Sequence, residues 1–237
     1  MCENDGYVKL ILEGLVVAVI GLFALHRPDV LTSCFAYPIT TSLKIYHILW
    51  LLTVLVLVKR MIPKLSVKMS SGKIFERNFL GIGEDTDRRR RGFRKSKEKA
   101  DSGAFRSGLY WVLLLLVMWM WRYVEILPDG WLYVIVLFFI FMDQFCIVVF
   151  CPFQWLMQNK CCNTCRINNW GYCMAFSPLI FIHSFWTYSI VFLSLVTIFQ
   201  WEYLYFKHPE RFYDMYNANL MCKNCSIHCR RKSTKSD

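Results

Sequence analysis

Apolar positions in this chain come in long runs, not at the spaced intervals that cover one face of a soluble helix. Ile167 through Trp201 contains no Asp, Glu, Lys or Arg, and Trp131 through Asn159 contains one, Asp143. About 20 predominantly apolar residues carry a helix across ~30 Å of hydrocarbon. There the backbone must satisfy its own hydrogen bonds, which leaves helices or a closed barrel. No period-two alternation is present, so the barrel reading fails. The pattern predicts an all-α, polytopic transmembrane bundle of about five spans: Tyr7–Leu25, Leu43–Ile62, Phe105–Leu127, Trp131–Leu156 and Met174–Trp201.

The connections follow from the polar punctuation. Pro128-Asp129-Gly130 is a tight turn signal, so the third and fourth spans form an antiparallel hairpin. Trp and Tyr cluster at the expected boundaries, as at Tyr110, Trp111, Trp131, Tyr133, Trp201 and Tyr203, the depth of lipid headgroups. Four regions result. Residues 1–62 hold two spans, 63–104 form a polar basic loop, 105–206 hold three spans with a cysteine-rich loop at 158–173, and 207–237 form a cysteine-rich polar tail. The start, MCENDGYVK, lacks a basic leader region and a small-residue cleavage site, so the first apolar segment is expected to be retained.

Composition agrees with the pattern. Of 237 residues, 56% are hydrophobic and 19% charged, below the ~25% charged of soluble domains. The formal net charge of +11 could indicate nucleic acid, but its location argues otherwise. Lys59 through Ser107 carries 15 Lys/Arg against 6 Asp/Glu, a net of +9 in one inter-span segment. That is the asymmetry that keeps a loop cytoplasmic, and it places the N-terminus there too. The middle of the segment, GEDTDRRRRGFRKSKEKADSG, reads as a charged and mobile stretch. Its partners are expected to be the lipid bilayer and anionic lipid headgroups, in preference to nucleic acid. Residues 59–79 interleave apolar residues with lysines and suit an interfacial segment.

The same rule leaves a conflict. With five crossings the tail falls outside, yet it carries Lys207, Arg211, Lys223, Arg230, Arg231, Lys232 and Lys235. Either the tail violates the charge rule, or the last segment turns back within the membrane.

Eleven cysteines are the main candidates for chemistry. One cluster is Cys161, Cys162 and Cys165, flanked by Cys151 and Cys173. The other is Cys222, Cys225 and Cys229, with His228 inside it. Each contains a C-x-x-C, the spacing that lets two thiolates converge on one ion from a tight turn. Zinc or an iron–sulfur cluster fits such donors, and so does a redox dithiol whose thiolate is favoured by Lys160, Arg166 or Lys223. A redox or membrane protein partner would follow from the dithiol. Cys2, Cys34 and Cys146 read instead as small hydrophobes in apolar surroundings.

Ionisable groups inside spans form a second set of candidates, because each is costly unless paired. Asp143 is the deepest, with Gln144 beside it, and His183 lies in the last segment. Glu13 and His47 lie nearer helix ends. These residues suit an ion or proton relay, a metal between helices, or ordinary interhelical hydrogen bonds. A non-catalytic scaffold is the third class of function. No phosphate loop, serine nucleophile motif or H-E-x-x-H occurs.

Cys151-Pro-Phe-Gln154, Cys161-Cys-Asn-Thr-Cys-Arg-Ile-Asn-Asn-Trp170, Trp201-Glu-Tyr203, His208-Pro-Glu-Arg-Phe212 and the closing C-x2-C-x3-C together resemble a group of small, uncharacterised bacterial multi-span membrane proteins. The resemblance covers mainly the second half. It implies a bacterial cell-membrane location and no activity.

Overall fold

A computed structural model describes residues 3–41, 43–65, 70–83, 86–157, 165–221 and 224. Among the described residues the chain is helical, without strands. Its helices are α1 (Glu3–His26), α2 (Pro28–Phe35), α3 (Ile45–Met61), α4 (Asp87–Tyr123), α5 (Asp129–Val148), α6 (Phe153–Met157), α7 (Gly171–Phe176) and α8 (Phe185–Lys207), joined in places by short 3-10 turns. Four of them, α1, α4, α5 and α8, are long and apolar enough to cross a membrane by length and composition. Leu, Val, Ile and Phe cover their outward faces, as a lipid-facing surface requires. Helix α3 has 17 residues, which is ~26 Å at 1.5 Å per residue and slightly short of a full crossing.

Helix α5 lies at the centre. Helix α1 runs antiparallel to it, and the small residues Gly14 and Gly21 let it approach Phe141 and Val134. The Pro128 turn reverses α4 into α5, and Arg122 pairs with Asp129 across it at 2.6 Å. Glu125, three residues after Arg122, is not its partner. Glu125 has a positive φ of 57° where α4 ends, so the helical i, i+3 geometry does not exist there.

The basic segment differs from expectation. From Asp87 onward it is the first half of α4, not a mobile loop. Arg, Lys, Glu and Ala are good helix formers, and Asp87 in the first turn complements the dipole. Phe93, Ala100, Ala104 and Ser107 recur on one face, which supplies the packing that a charged helix otherwise lacks. Phe93 stands edge-on to Tyr213 and Tyr216. Helix α4 has 37 residues, ~55 Å, so it outruns the hydrocarbon by ~25 Å.

The final apolar segment also departs from the single helix expected over Met174–Trp201. Residues 166–181 form a 3-10, α and 3-10 succession, the chain then extends through Ile182 to Ser184, and α8 starts afresh. Pro178 is tolerated because it sits in the first turn of its short helix, where no backbone N–H is needed. Ser184 caps α8 by accepting from the Trp186 N–H, and Thr187 Oγ1 donates to the carbonyls of Ile182 and Ser184. These bonds satisfy backbone groups that the break releases.

The two pieces run in opposite directions. Arg166 lies beside Asp101 of α4 and Glu202 of α8, at the end of the bundle carrying the basic residues. Leu179 and Ile182 pack with Leu127 and Leu132, at the end carrying the Pro128 turn. Helix α8 then returns beside α3. Trp50 donates to Ser189 Oγ at 2.7 Å near one end, and Gln200 donates to the Met61 carbonyl at 3.2 Å near the other. Residues 208–221 therefore lie at the basic end. There the Ala218 N–H donates to the Leu80 carbonyl and the Ile82 N–H to the Tyr216 carbonyl.

Candidate functional site

The last turns of α5 carry Asp143 and Cys146 three residues apart, on one helical face. The helix stops at Val148, and Pro152 opens the short turn into α6, which brings Cys151 back beneath that face. The Cys146 thiol lies within hydrogen-bonding reach of that of Cys151, with Cys165 nearby. All three line one cavity of about 190 Å³ together with Asp143. They are thiols, not disulfides. Cys151 is buried at 7% exposure.

Asp143 closes one side. A methyl group at Gly171 would lie 2.9 Å from Asp143 Oδ1, so a glycine is what lets α7 approach this carboxylate. Arg60, Cys151 and Glu13 are the charged or ionisable groups that its carboxylate senses. The Arg60 guanidinium stacks 3.9 Å from the Tyr172 ring, a cation–π contact at the end of α3.

Outside the cavity an ionic clasp ties the same end together. Arg166 Nη1 donates to Asp101 Oδ1 at 2.6 Å, and its Nη2 and Nε grip the two oxygens of Glu202. Trp170 Nε1 donates to Glu202 Oε1 at 2.8 Å. The Arg166 guanidinium also lies 4.2 Å from the ring centre of Tyr205, whose hydroxyl donates to Asp101 at 2.8 Å and sits 2.9 Å from that of Tyr213. None of these pairs is legible locally, since Arg166 and Glu202 are 36 residues apart. The available signal is that both stand at the edge of uncharged stretches, where a charge needs a partner.

The sequence candidates fare as follows. Cys165 joins the cavity. Cys161, Cys162, Cys222, Cys225, His228 and Cys229 lie outside the described residues. Among the described residues, no three His, Cys, Asp or Glu side chains are grouped to hold a metal ion. Arg166, expected to favour a thiolate, is instead committed to two carboxylates. Gln144 is half-buried beside Asp143. His183 falls in the break before α8, exposed, with Nδ1 2.6 Å from the Tyr188 hydroxyl, so it does not meet Asp143. His47 accepts from the Lys44 N–H, and Glu13 pairs with Lys9. Cys173 is separate from the cavity pair and lies beside Ser194 of α8. Cys146, expected as mere packing, is a member of the thiol group.

Burial pushes the Tyr213 phenol up to about 12; the Tyr205 hydrogen bond and Arg166 lower it, and Asp101 raises it. The unfolded phenol titrates near 10. The folded state therefore holds its proton longer. Stability from this group is complete below about pH 10 and falls as pH rises toward about 12, by up to ~1.4 kcal/mol per pH unit. Unfolding in detergent at about pH 9 and about pH 11 should show this loss, and Tyr213→Phe should lessen it.

No family model, no curated protein and no solved structure matches this chain.

Proposed function

We propose that this protein is a membrane-embedded thiol–disulfide exchange component. The observation that carries the reading is the Cys146–Cys151 thiol pair, with Cys165 beside it, on one cavity next to a carboxylate. The step balances without a further oxidant. Cys146 gives its proton to Asp143 and attacks a disulfide sulfur of a partner protein, releasing one partner thiolate. Cys151 then attacks Cys146, forming Cys146–Cys151 and releasing the second partner sulfur. One disulfide is broken and one formed, and the protons of the two cysteines pass to the two partner thiols. The loop pair Cys162 and Cys165 and the tail cysteines Cys222, Cys225 and Cys229 would serve as carriers to this pair.

The topology that supports this reading has six crossings: α1, α3, α4, α5, residues 166–182 and α8. The N-terminus, the basic half of α4, the cysteine loop and the tail then share one side. Positive charge makes that side cytoplasmic and removes the tail conflict of a five-span reading. Exposed Arg88, Arg91, Arg94 and Lys95 on α4 would meet anionic headgroups of the cell membrane, at about 1 kcal/mol each near the surface.

Mild oxidation with a peptide disulfide should give a Cys146–Cys151 bridge, read by mass spectrometry of peptides. Cys151→Ser should instead trap a mixed disulfide at Cys146. Should Cys146 and Cys151 stay reduced while exposed Cys34 reacts, thiol exchange at this site is wrong.

A second reading has a separate observation behind it. Lys73 Nζ donates to the carbonyl of Asn224, whose sequence neighbours include the tail C-x-x-C, so Asn224 sits at the same end as Cys165. Two C-x-x-C pairs on one side could share zinc or support an iron–sulfur cluster. Elemental analysis of purified protein decides it: stoichiometric metal lost in Cys165→Ser and Cys225→Ser favours this reading over exchange.

A further inference from the structure

Resting on the thiol-exchange reading, we propose that the cavity beside Cys146 and Cys151 binds a lipid-soluble quinone, which the dithiol reduces to the quinol. Three properties of the cavity lead there. The first is size. An apolar cavity of about 150 Å³ accommodates a benzene ring, so about 190 Å³ accommodates a substituted six-membered ring with its tail left outside. The second is the wall. Trp111 and Phe139 meet edge to face, with centroids 4.9 Å apart, and with Phe138, Met142 and Met174 they make a flat, polarisable lining for a ring. Phe138 is also 44% exposed on the outer face of α5, so the cavity borders the lipid and is reached from it sideways.

The third property is the chemistry at its end. The ionisable groups lining the cavity are Asp143 and the three thiols. A thiol pair can deliver two electrons and two protons, which is what a quinone takes up. In the step, Cys146 passes its proton to Asp143 and its sulfur adds to a ring carbon, forming a C–S bond. Cys151 loses its proton and attacks Cys146 Sγ. The S–S bond forms, the C–S bond breaks, and its electron pair stays on the ring. The two cysteine protons end on the two quinol oxygens, one of them by way of Asp143. The protein is oxidised by two electrons and the quinone reduced by two. This gives the exchange cycle a terminal acceptor within the bilayer.

The test uses the full chain, reduced and placed in lipid nanodiscs, with a short-tailed ubiquinone as one probe and a soluble peptide disulfide as the other. The expected result is at least one quinol per protein, with a Cys146–Cys151 disulfide found by peptide mass spectrometry. Cys146→Ser and Cys151→Ser should abolish it, and Cys173→Ser should not. Met142→Trp and Ala175→Leu, two independent ways to fill the cavity, should slow quinone reduction about tenfold or more. Oxidation by the peptide disulfide but not by the quinone overturns the quinone site and leaves thiol exchange standing. Oxidation by neither overturns both. Quinone reduction undiminished in both filled variants also overturns the site, because the reaction would then occur elsewhere.

Discussion

Arg166→Ala is expected to destabilise the fold by about 3 kcal/mol, the low end of the range for removing one partner of a buried ion pair. The low end applies because Asp101 and Glu202 are 44% and 29% exposed, so water partly screens the carboxylates left behind. Three kinds of contact vanish at once: the bond to Asp101, the two-pronged grip on Glu202, and the stacking over Tyr205. For a chain of this size, about 3 kcal/mol lowers Tm by roughly 6–12 °C. Arg166→Lys should recover only part of this, since an ammonium cannot make the forked contact or stack as a plane. Thermal unfolding of the two variants in one detergent measures both numbers. A shift of roughly 2 °C or less for Arg166→Ala would show that the clasp contributes no more than an exposed pair.

The clasp also bears on the cavity. Arg166 follows Cys165 directly, and it fastens the start of residues 166–182 to α4 and α8. Loosening it frees the backbone that holds Cys165 near Cys146. A lower yield of thiol exchange is therefore expected in Arg166→Ala even at temperatures where the protein remains folded.

Much of the bundle was open to a reading of hydropathy alone. Helices α1 and α5 and the second half of α4 follow directly from apolar runs bounded by Pro128 and by charged residues. The last segment did not follow, and the reason is physical. Ile167 through Trp201 is 35 residues, ~52 Å as one helix, too long for a single crossing of ~30 Å. Composition could not say where it folds back. The local marks were Pro178 and the cap at Ser184, both weak signals within an apolar run. The basic half of α4 was hidden for the opposite reason. Its charge density resembles that of a disordered tract, while the stripe through Phe93, Ala100 and Ala104 becomes decisive only once the tail packs on it.

The site was legible in part. Asp143 stands out because a carboxylate in a long apolar run demands an explanation. Cys165 stands out by its C-x-x-C spacing. Cys146 and Cys151 did not, because their meeting depends on α5 ending at Val148 and the chain turning at Pro152. Arg166, Asp101 and Glu202 come from three separate elements, and only tertiary structure joins them.

Asn217→Asp is expected to detach the chain after α8 from the basic segment, at a cost of about 3 kcal/mol or more. Asn217 is fully buried, with no side-chain charge to draw attention to it. Its Nδ2 donates to the carbonyls of Lys73 and Arg211 at 3.0 and 2.9 Å, and its Oδ1 accepts from the N–H groups of Asn219 and Leu80 at 3.2 and 3.5 Å. Around it, Gly81 and Asn217 face one another in an isolated antiparallel bridge. Alanine would leave two carbonyls and two N–H groups without this partner, each costing roughly 1 kcal/mol or more. Aspartate keeps the shape but turns the donor into a carboxylate oxygen facing two carbonyl oxygens, so it should be the worse of the two. The order of stability is therefore wild type, then Asn217→Ala, then Asn217→Asp. Limited proteolysis beyond Lys207 in detergent reads the detachment directly, because cleavage there requires the docked backbone to open. Equal resistance in all three proteins would mean that Trp201, Tyr205, Phe212 and Leu220, packed on Ile74 and Phe75, hold the segment without the amide. With the reverse order, aspartate more resistant than alanine, the hydrogen-bond assignment at Nδ2 would be wrong, because a carboxylate gains only where donors surround it.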